Sequence, residues 1–399
     1  MKALVFERDV PRFAAAKVLS KLAPSRAHGA GPLHLNERAP EPHVPGPDWV
    51  RLRPRLSGIC GSDLATVQGT SSRYFEPIVS FPFVPGHEVV ADTEVGARGV
   101  LEPVLGCVSR GISPVCGACA AGNLGRCERL TFGALRPGLQ SGFCCDTGGG
   151  WSTAMVAHPS QLHVVPADMS DETAAMVEPA ACAIHAALAP GLLGGATGGT
   201  VASVIGAGTI GLLTICSLMK YNPVQQLIVA ARHPEQHQWA RSFGATAVVD
   251  PSALTRTVRR ATGSMAIGDG AIERLTGGCD VVFDCVGSNE SISQALAVVR
   301  PGGRIVLVGM PATVTVDLTP LWHREVALIG AYAYGVEPSV GGRRTFDLAL
   351  ELAASANLGQ LVSATYTLDR YDDAIAHAAA AGRRGAAKIC FDLRQEKQR

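Results

Sequence analysis

The chain has 399 residues, of which 47% are hydrophobic and 17% are charged, and this composition predicts a soluble globular protein of two domains. Its formal net charge of +1 argues against a nucleic acid or an acidic membrane surface as a partner. The N-terminal "MKALVFERDVPRF" lacks the apolar run of a secretory signal, and no stretch reaches the roughly 18 apolar residues of a membrane-spanning helix. We therefore expect a cytoplasmic protein.

Residues 1–175 are predicted to form the first domain. Short β-type runs such as "PFVPGHEVVADTEV" alternate there with Gly and Pro residues. Such spacing is typical of a β-rich domain with long loops.

Two residues of this domain, Cys60 in "GICGSD" and His87 in "PGHEVV", are of types that bind zinc. With a carboxylate they would form a three-ligand site that leaves one position open for water or substrate. The candidate carboxylates are Glu88, the next residue, and Glu178 in "MVEPAAC". We expect Pro179 to interrupt the local helix and so turn the carboxylate of Glu178 inward. The alternative is that each is an ordinary core, loop or surface residue.

Four of the twelve cysteines cluster between about residues 105 and 130, in "VLGCVSRGISPVCGACAAGNLGRC". In a reducing compartment such cysteines are metal ligands or small core residues rather than disulfides. The C-x2-C pair with a further cysteine has metal-ligand spacing, and four thiolates make a closed structural zinc site. The predicted ligands are Cys107, Cys116, Cys119 and Cys127. The alternative is a set of reduced, buried thiols.

Residues 176–335 are predicted to form a second domain. After the helical segment "SDETAAMVEPAACAIHAAL", apolar runs such as "TVASVIG", "QLIVAA" and "DVVFDCVG" alternate with helix-sized segments or loops. Near-continuous apolar runs are expected of strands that are covered on both faces, so we predict a doubly wound parallel sheet. The alternation of strands and helices is less regular over residues 336–399, which are predicted to contain a helix and the terminal strand "AAKICFDL".

The segment "VIGAGTIG" carries the spacing G-x-G-x-x-G between an apolar strand and an apolar helix, the context expected of a dinucleotide-binding turn. Glycines there let backbone N–H groups approach a pyrophosphate at the helix N terminus. We predict cofactor contacts in this turn and at later strand ends: Gly206, Gly208, Thr209, Ile210, Gly211, Arg232, Val286 and Val308.

The residue that selects the cofactor ribose is expected about 20 residues after the last glycine. The sequence there reads "VAARHPEQ", with Arg232 and no Asp or Glu to meet a free 2′-hydroxyl. Because arginine suits a 2′-phosphate, we predict NADP in preference to NAD. The alternative is that Arg232 stacks on the adenine or faces solvent.

Taken together, these motifs resemble those of the zinc-dependent medium-chain dehydrogenase/reductase superfamily, which includes alcohol, sorbitol, glucose and threonine dehydrogenases. The resemblance covers nearly the whole chain, in the order "GICGSD", "PGHE", the cysteine lobe, "EPAACAIHA", "GAGTIG" and "RPGGRIVLVG". It implies an α/β fold in which a Rossmann domain is inserted in a GroES-like β-rich catalytic domain, with residues 336–399 returning to the first domain. It also implies a homodimer or homotetramer.

The resemblance implies a role for each matching residue. The implied ligands of a catalytic zinc are Cys60, His87 and one of Glu88 and Glu178. Ser62 matches the hydroxyl that passes the substrate proton, and Asp63 matches the carboxylate that orients the zinc-bound histidine.

The sequence departs from the superfamily at two further positions. Many relatives place a histidine five residues after the zinc cysteine, where this chain has Ala65, so the outer end of a proton relay is not assigned. Relatives usually have the first cysteine of the structural lobe at the position where this chain has Ser113. Cys107, six residues upstream, is taken to supply that ligand instead.

The implied reaction is reversible hydride transfer between an alcohol, expected to be a secondary alcohol or polyol, and NADP or NAD. Zinc would act as the Lewis acid on the alcohol oxygen. One alternative is a zinc-free quinone or enoyl reductase of the same superfamily, although these generally lack the cysteine lobe. Another is a non-catalytic dinucleotide-binding protein on the same fold.

Overall fold

The computed structural model describes residues 1–22, 27–189, 200–268 and 274–396. They form two compact units, and each unit is discontinuous in sequence. The first unit comprises Met1–Glu178, Tyr334–Val336 and Phe346–Arg399. The second comprises Pro179–Ala333 and Glu337–Thr345.

The strands, in chain order, are β1 Ala3–Phe6, β2 Leu33–Asn36, β3 Val50–Gly58, β4 Val89–Thr93, β5 Arg98–Leu101, β6 Met155–Ala157, β7 Leu162–Val164, β8 Val201–Ile205, β9 Gln226–Ala230, β10 Ala247–Val249, β11 Ala266–Ile267, β12 Arg274–Leu275, β13 Cys279–Asp284, β14 Val299–Leu307, β15 Ala327–Gly330, β16 Val336–Glu337, β17 Arg343–Arg344, β18 Val362–Tyr366 and β19 Lys388–Asp392. The α-helices are α1 Val10–Leu22, α2 Ala27–Ala30, α3 Gly61–Val67, α4 Gly117–Ala120, α5 Asp171–Ala174, α6 Val177–Ala187, α7 Thr209–Tyr221, α8 Pro234–Ser242, α9 Leu254–Thr262, α10 Asn289–Val298, α11 Thr319–His323, α12 Thr345–Ser355 and α13 Tyr371–Ala379.

The first unit is built on a seven-stranded sheet in the order β18-β19-β3-β4-β5-β7, with β6 also paired to β3. Strand β19 is antiparallel to β3, with Cys390 opposite Gly58. The late chain segment thus supplies an interior strand of a sheet whose other core strands come from the first half of the sequence. The main core of this unit includes Trp151, Phe391 and residues of β1.

The second unit is built on a six-stranded sheet in the order β10-β9-β8-β13-β14-β15, in which every neighbouring pair is parallel. All five residues of β8 are buried, as expected of a strand that is covered on both faces. The strand order reverses at β8, which is where doubly wound sheets bind their ligands. This sheet confirms the predicted doubly wound fold.

The prediction that Pro179 would break the helix at Glu178 is wrong. The structure ends α5 at Ala174 and begins α6 at Val177, so Glu178 is helical and the break lies before it. Proline is tolerated in the first turn of a helix, because the N–H that it lacks would have no intrahelical acceptor there. Glu178 is nevertheless buried.

Among the residues that the structure describes, no helix combines the length and the apolar character needed to cross a membrane.

Candidate functional site

The predicted zinc ligands of the first unit lie where neighbouring strands begin or end. Strand β3 ends at Gly58, two residues before Cys60, and β4 begins directly after Glu88. Because β3 and β4 are antiparallel, with Ser57 opposite Val89, the end of one strand lies beside the start of the other. A hydrogen bond from Gly58 N to Glu88 O (2.8 Å) extends this pairing past the strands.

This pairing brings Cys60 Sγ, a ring nitrogen of His87 and a carboxylate oxygen of Glu88 within 4.8 Å of one another. Asp63, in the first turn of α3, contacts two of the three residues. One of its oxygens accepts a hydrogen bond from Cys60 N (3.0 Å), and the other lies 3.5 Å from His87 Nδ1. Since Nδ1 faces Asp63, Nε2 is the His87 nitrogen that is available to a metal.

The charges around His87 favour a cation. Burial disfavours the imidazolium, but the Asp63 carboxylate and the Cys60 sulfur outweigh burial and raise the pKa of His87 well above its ordinary value. Surroundings that attract a proton to a buried histidine also stabilise a divalent ion in its place. The donor set and its charge therefore fit zinc.

Glu178 lies near this cluster and is coupled to it electrostatically. Burial raises the pKa of Glu178 to about 7, and the charge of Glu88 adds to the shift, whereas His87 and a hydrogen bond from Tyr334 oppose it. Glu178 does not belong to the set of ligand atoms that lie within 4.8 Å of one another. The structure therefore groups Glu88, and not Glu178, with the cysteine and the histidine.

Lys388 is a buried cation of this site that the sequence analysis did not identify. Its ammonium group, at the start of β19, forms an ion pair with Glu88 and donates a hydrogen bond to Ile59 O (3.3 Å). Burial lowers the pKa of Lys388, but the charges of Glu88 and Cys60 more than reverse this and raise it. Gly58 leaves room for the pair, because a Cβ there would overlap a Glu88 oxygen. The only signal in the sequence is a single charged residue in the apolar run "AAKICF".

A glycine-rich segment supports the backbone beside His87. Gly150 N donates to Gly86 O (2.8 Å), and Trp151 N donates to Pro85 O (3.0 Å). Gly86 has a φ of +95°, a conformation that favours glycine. These contacts fix the loop that places the histidine.

Ser62, the predicted proton-transfer residue, lies in the first turn of α3. Its hydroxyl oxygen is buried and has no hydrogen-bond partner within the described part of the chain. A buried hydroxyl without a partner is unfavourable, and a bound ligand would satisfy it. Ala65, further along the helix, has no polar group with which to extend a relay.

The four cysteines predicted to bind structural zinc come together, with their sulfur atoms within 4.8 Å of one another. Cys107 Sγ lies 3.7 Å from Cys127 Sγ, so the upstream cysteine joins the others. Backbone N–H groups face the sulfur atoms, as from Cys107 N to Cys119 Sγ (3.4 Å). Hydrogen bonds from two backbone N–H groups lower the pKa of Cys116, whereas burial raises the pKa of Cys119 and Cys127. The set fits a closed tetrahedral site.

The predicted dinucleotide turn joins β8 to α7 in the second unit, and Thr209 and Ile210 form the first turn of that helix. Gly206 has a φ of +91°, and a Cβ on Gly211 would overlap the Gly206 carbonyl oxygen. By contrast, a Cβ on Gly208 would have nothing within 4 Å. Close packing below the turn and open space at the helix N terminus fit a pyrophosphate.

Alanine substitutions at two glycines of this turn should separate folding from cofactor binding. We expect Gly211→Ala to destabilise the chain by about 1–3 kcal/mol, since its methyl group meets rigid backbone. Gly208→Ala should leave the thermal midpoint within error but weaken cofactor binding, because its methyl group occupies the open space. Thermal unfolding and cofactor titration of both variants test this. Equal loss of stability in the two variants would contradict it.

Val286 and Val308 lie in two loops that both contact one buried residue, Asp284, one through its side chain and the other through its backbone. The Asp284 side chain accepts hydrogen bonds from Val286 N (3.0 Å) and Gly287 N (3.1 Å). Its carbonyl oxygen accepts hydrogen bonds from Val308 N (2.9 Å) and Gly309 N (2.8 Å). Asp284 is not among the residues predicted from the sequence, although "FDCVG" places it at the end of an apolar run.

Arg232 follows β9, the strand next to β8, and is exposed. Its guanidinium acts electrostatically on the carboxylates of Asp250 and Glu290.

Two family models match the chain. Residues 46–167 match the alcohol dehydrogenase GroES-like domain, and residues 209–355 match the zinc-binding dehydrogenase domain. The first match covers Cys60, His87, Glu88 and the four-cysteine cluster, and the second begins at Thr209, at the start of the helix that follows the dinucleotide turn.

Similar proteins of known name include two curated relatives. A sorbitol dehydrogenase of Arabidopsis thaliana is 29% identical and an L-idonate 5-dehydrogenase of Vitis vinifera is 28% identical, each alignment covering 87% of this chain and 89% of the relative. Among solved structures, a zinc-binding dehydrogenase of Sinorhizobium meliloti 1021 bound to NADP has a TM-score of 0.65 at 24% identity, over 90% of this chain and 95% of that one. The structural likeness shows the fold.

Proposed function

Because this chain belongs to the zinc-dependent medium-chain dehydrogenase/reductase superfamily, we propose that it oxidises a secondary alcohol of a polyol reversibly to the ketone, with NADP. It is an oxidoreductase that acts on CH–OH groups with a nicotinamide cofactor. The grouping of Cys60, His87 and Glu88 is the observation that carries the proposal. The polyol class is supported by relatives described as sorbitol and L-idonate dehydrogenases.

When bound, zinc supplies a Lewis acid for the alcohol oxygen, and the nicotinamide exchanges a hydride with the alcohol carbon. We assign Cys60, His87 and Glu88 to the metal. Asp63 holds the His87 ring through Nδ1 and so keeps Nε2 directed at the ion. Glu178, which lies near the cluster, would be available to hydrogen-bond a group bound to the metal.

Ser62 receives the proton of the substrate hydroxyl in this proposal. Its oxygen is buried without a partner in the described residues, so it can accept a hydrogen bond from a ligand at the cluster. With Ala65 in place of a distal base, the proton leaves through water, the cofactor ribose or another group.

The four-cysteine cluster holds a structural zinc in this proposal, with Cys107, Cys116, Cys119 and Cys127 as ligands. The cofactor lies at the turn of Gly206, Gly208 and Gly211 and at the later strand ends. The homodimer or homotetramer and the cytoplasmic location expected from the sequence stay predictions.

Replacing Arg232 with alanine should raise the KM for NADP about 10- to 100-fold and leave that for NAD within about threefold. A charge-assisted hydrogen bond to a 2′-phosphate contributes roughly 1.5–3 kcal/mol, and NAD has no such group. Steady-state kinetics with both cofactors measure this, and Arg241→Ala, another exposed arginine of the second unit, serves as the control. An equal rise in KM for NADP and NAD would show that Arg232 does not bind the 2′-phosphate.

The substrate class is tested by assaying the purified chain with polyols and simple monoalcohols, each with NADP and NAD. We expect the highest kcat/KM on polyols, loss of activity after chelation and recovery with added zinc. Zinc-independent reduction of quinones or enoyl compounds would favour the zinc-free reductase alternative. Cofactor binding without turnover on any alcohol or ketone would favour a non-catalytic protein.

A further inference from the structure

Arg110 is a fully buried arginine beside the four-cysteine cluster. Its relative exposure is 0%, and it ranks among the largest fully buried side chains of the described residues. It follows Cys107 by three residues, and Arg110 N donates to Cys107 O (3.2 Å) in the same tight turn. The guanidinium thus belongs to the segment that delivers the unusually placed cysteine.

The guanidinium donates only to backbone carbonyl groups. Its five hydrogen bonds end on the carbonyl oxygens of Leu105, Phe132, Leu135, Arg136 and Gly138. They tie the loop of residues 132–138 to the turn that carries Cys107. Carbonyl groups satisfy the N–H donors, but they carry no net charge.

No carboxylate of the described residues lies within ion-pair distance of this guanidinium. The neighbouring acid, Asp146, is 27% exposed at its side chain and lies 3.7 Å from the Nε of Arg136 instead. A buried charge without a counter-charge is strongly unfavourable. The structure therefore calls for an anion close to Arg110.

The cysteines provide that anion once they hold a metal. Four thiolates around one Zn²⁺ form a doubly negative complex. Burial lowers the pKa of Arg110, and Cys144, Cys127, Asp146 and Cys107 oppose that shift in decreasing order. Two of these, Cys127 and Cys107, are ligands of the cluster, so the cluster is within electrostatic reach.

We propose that Arg110 is the buried counter-charge of the four-cysteine zinc site and thereby determines how tightly this site retains zinc. The inference rests on the structural zinc of the proposed function. Arg110 acts through the cysteines as a positioning residue and takes no part in the chemistry of the alcohol.

The test follows zinc release from the full chain to a chromogenic chelator. All proteins carry Cys60→Ala, so that the cysteine lobe is the remaining site. We expect Arg110→Met to release zinc about 10- to 100-fold faster than its parent, the usual effect of losing a residue that supports metal ligands. Arg136→Met, which removes an exposed arginine of the same lobe, should not change the rate.

Arg110→Lys separates charge from hydrogen bonding, because lysine keeps the positive charge and cannot make the five bonds. We expect this variant to melt earlier but to release zinc within about threefold of the parent rate. If it releases zinc as fast as Arg110→Met, the hydrogen bonds hold the metal and the counter-charge proposal is wrong. Should the Met variant not fold, the Lys variant alone decides.

Thermal unfolding with and without zinc gives a second readout, because coupling between two sites is reciprocal. Chelation should lower the midpoint of the parent by more than that of Arg110→Met, since the apo parent keeps an uncompensated cation. A role in packing alone would give equal shifts. If the Cys60→Ala parent holds no zinc at all, the lobe is not a zinc site, and both the assignment and this inference fail.

Discussion

Replacing Cys60 with alanine is expected to lower the zinc content from about two ions per chain to about one and to reduce kcat/KM by about 10³-fold or more. Cys60 supplies one of three ligand atoms that lie within 4.8 Å of one another, and His87 and Glu88 alone leave the ion with too few protein ligands. Lewis-acid stabilisation contributes several kcal/mol in zinc enzymes, which corresponds to a loss of this size. Metal analysis and steady-state kinetics of both proteins measure it.

Cys145→Ala is the matched control, because Cys145 is also half-buried and belongs to neither metal cluster among the described residues. It should retain both zinc ions and most of the activity. A Cys60→Ala protein with unchanged zinc would show that Cys60 is not a ligand. The dehydrogenase mechanism proposed above would then fail, even if the fold and the cofactor site remained intact.

Replacing Lys388 with methionine is expected to destabilise the metal-free chain by about 3–5 kcal/mol. The ion pair of Lys388 and Glu88 is almost fully buried, with side-chain exposures of 3% and 1%. Removal of one partner leaves the other as an unpaired buried charge, and this penalty exceeds the net contribution of the intact pair. The measurement is urea unfolding in the presence of a chelator, so that zinc cannot replace the ammonium as the partner of Glu88.

The double variant with Glu88→Gln separates the ion pair from packing. It should recover at least about half of the lost free energy, because no unpaired charge remains. A double variant that is less stable than Lys388→Met would contradict this account. So would a loss of less than about 1 kcal/mol in the single variant, which would mean that water reaches Glu88.

The doubly wound sheet could be predicted because local patterns specify it. "TVASVIG" and "DVVFDCVG" are nearly uninterrupted apolar runs, and they become β8 and β13, which pair in the centre of the sheet. The glycine spacing after β8 similarly reflects one turn and the packing of one helix. Each of these features depends on residues that are close in sequence.

Helix α1 illustrates what local patterns do not reveal. In "VPRFAAAKVLSKL" only Ala16 is buried, whereas Val10, Val18 and Leu22 are at least 56% exposed. Apolar residues that do not lie on one face give no helical periodicity, so the sequence analysis predicts no helix there.

The site was predictable to the extent that its motifs carry chemistry by themselves. Cys60 and His87 stand in short motifs, and the cysteines have ligand spacing. Lys388 and Arg110 have no motif, since their importance comes from burial and from the charge that each faces. The burial of a cation depends on tertiary structure, so it is recognised from the folded structure and not from the sequence.

The position of β19 in the sheet has a consequence for biosynthesis. Lys388 lies 300 residues after Glu88, and the whole of the second unit is translated between them. At about 5–20 residues per second, a ribosome needs on the order of 15–60 s for that interval. During this time the nascent chain contains Cys60, His87 and Glu88 without the strand that neutralises the glutamate. The second unit can fold first, whereas the first unit completes its sheet and its charge balance only after β19 has been translated.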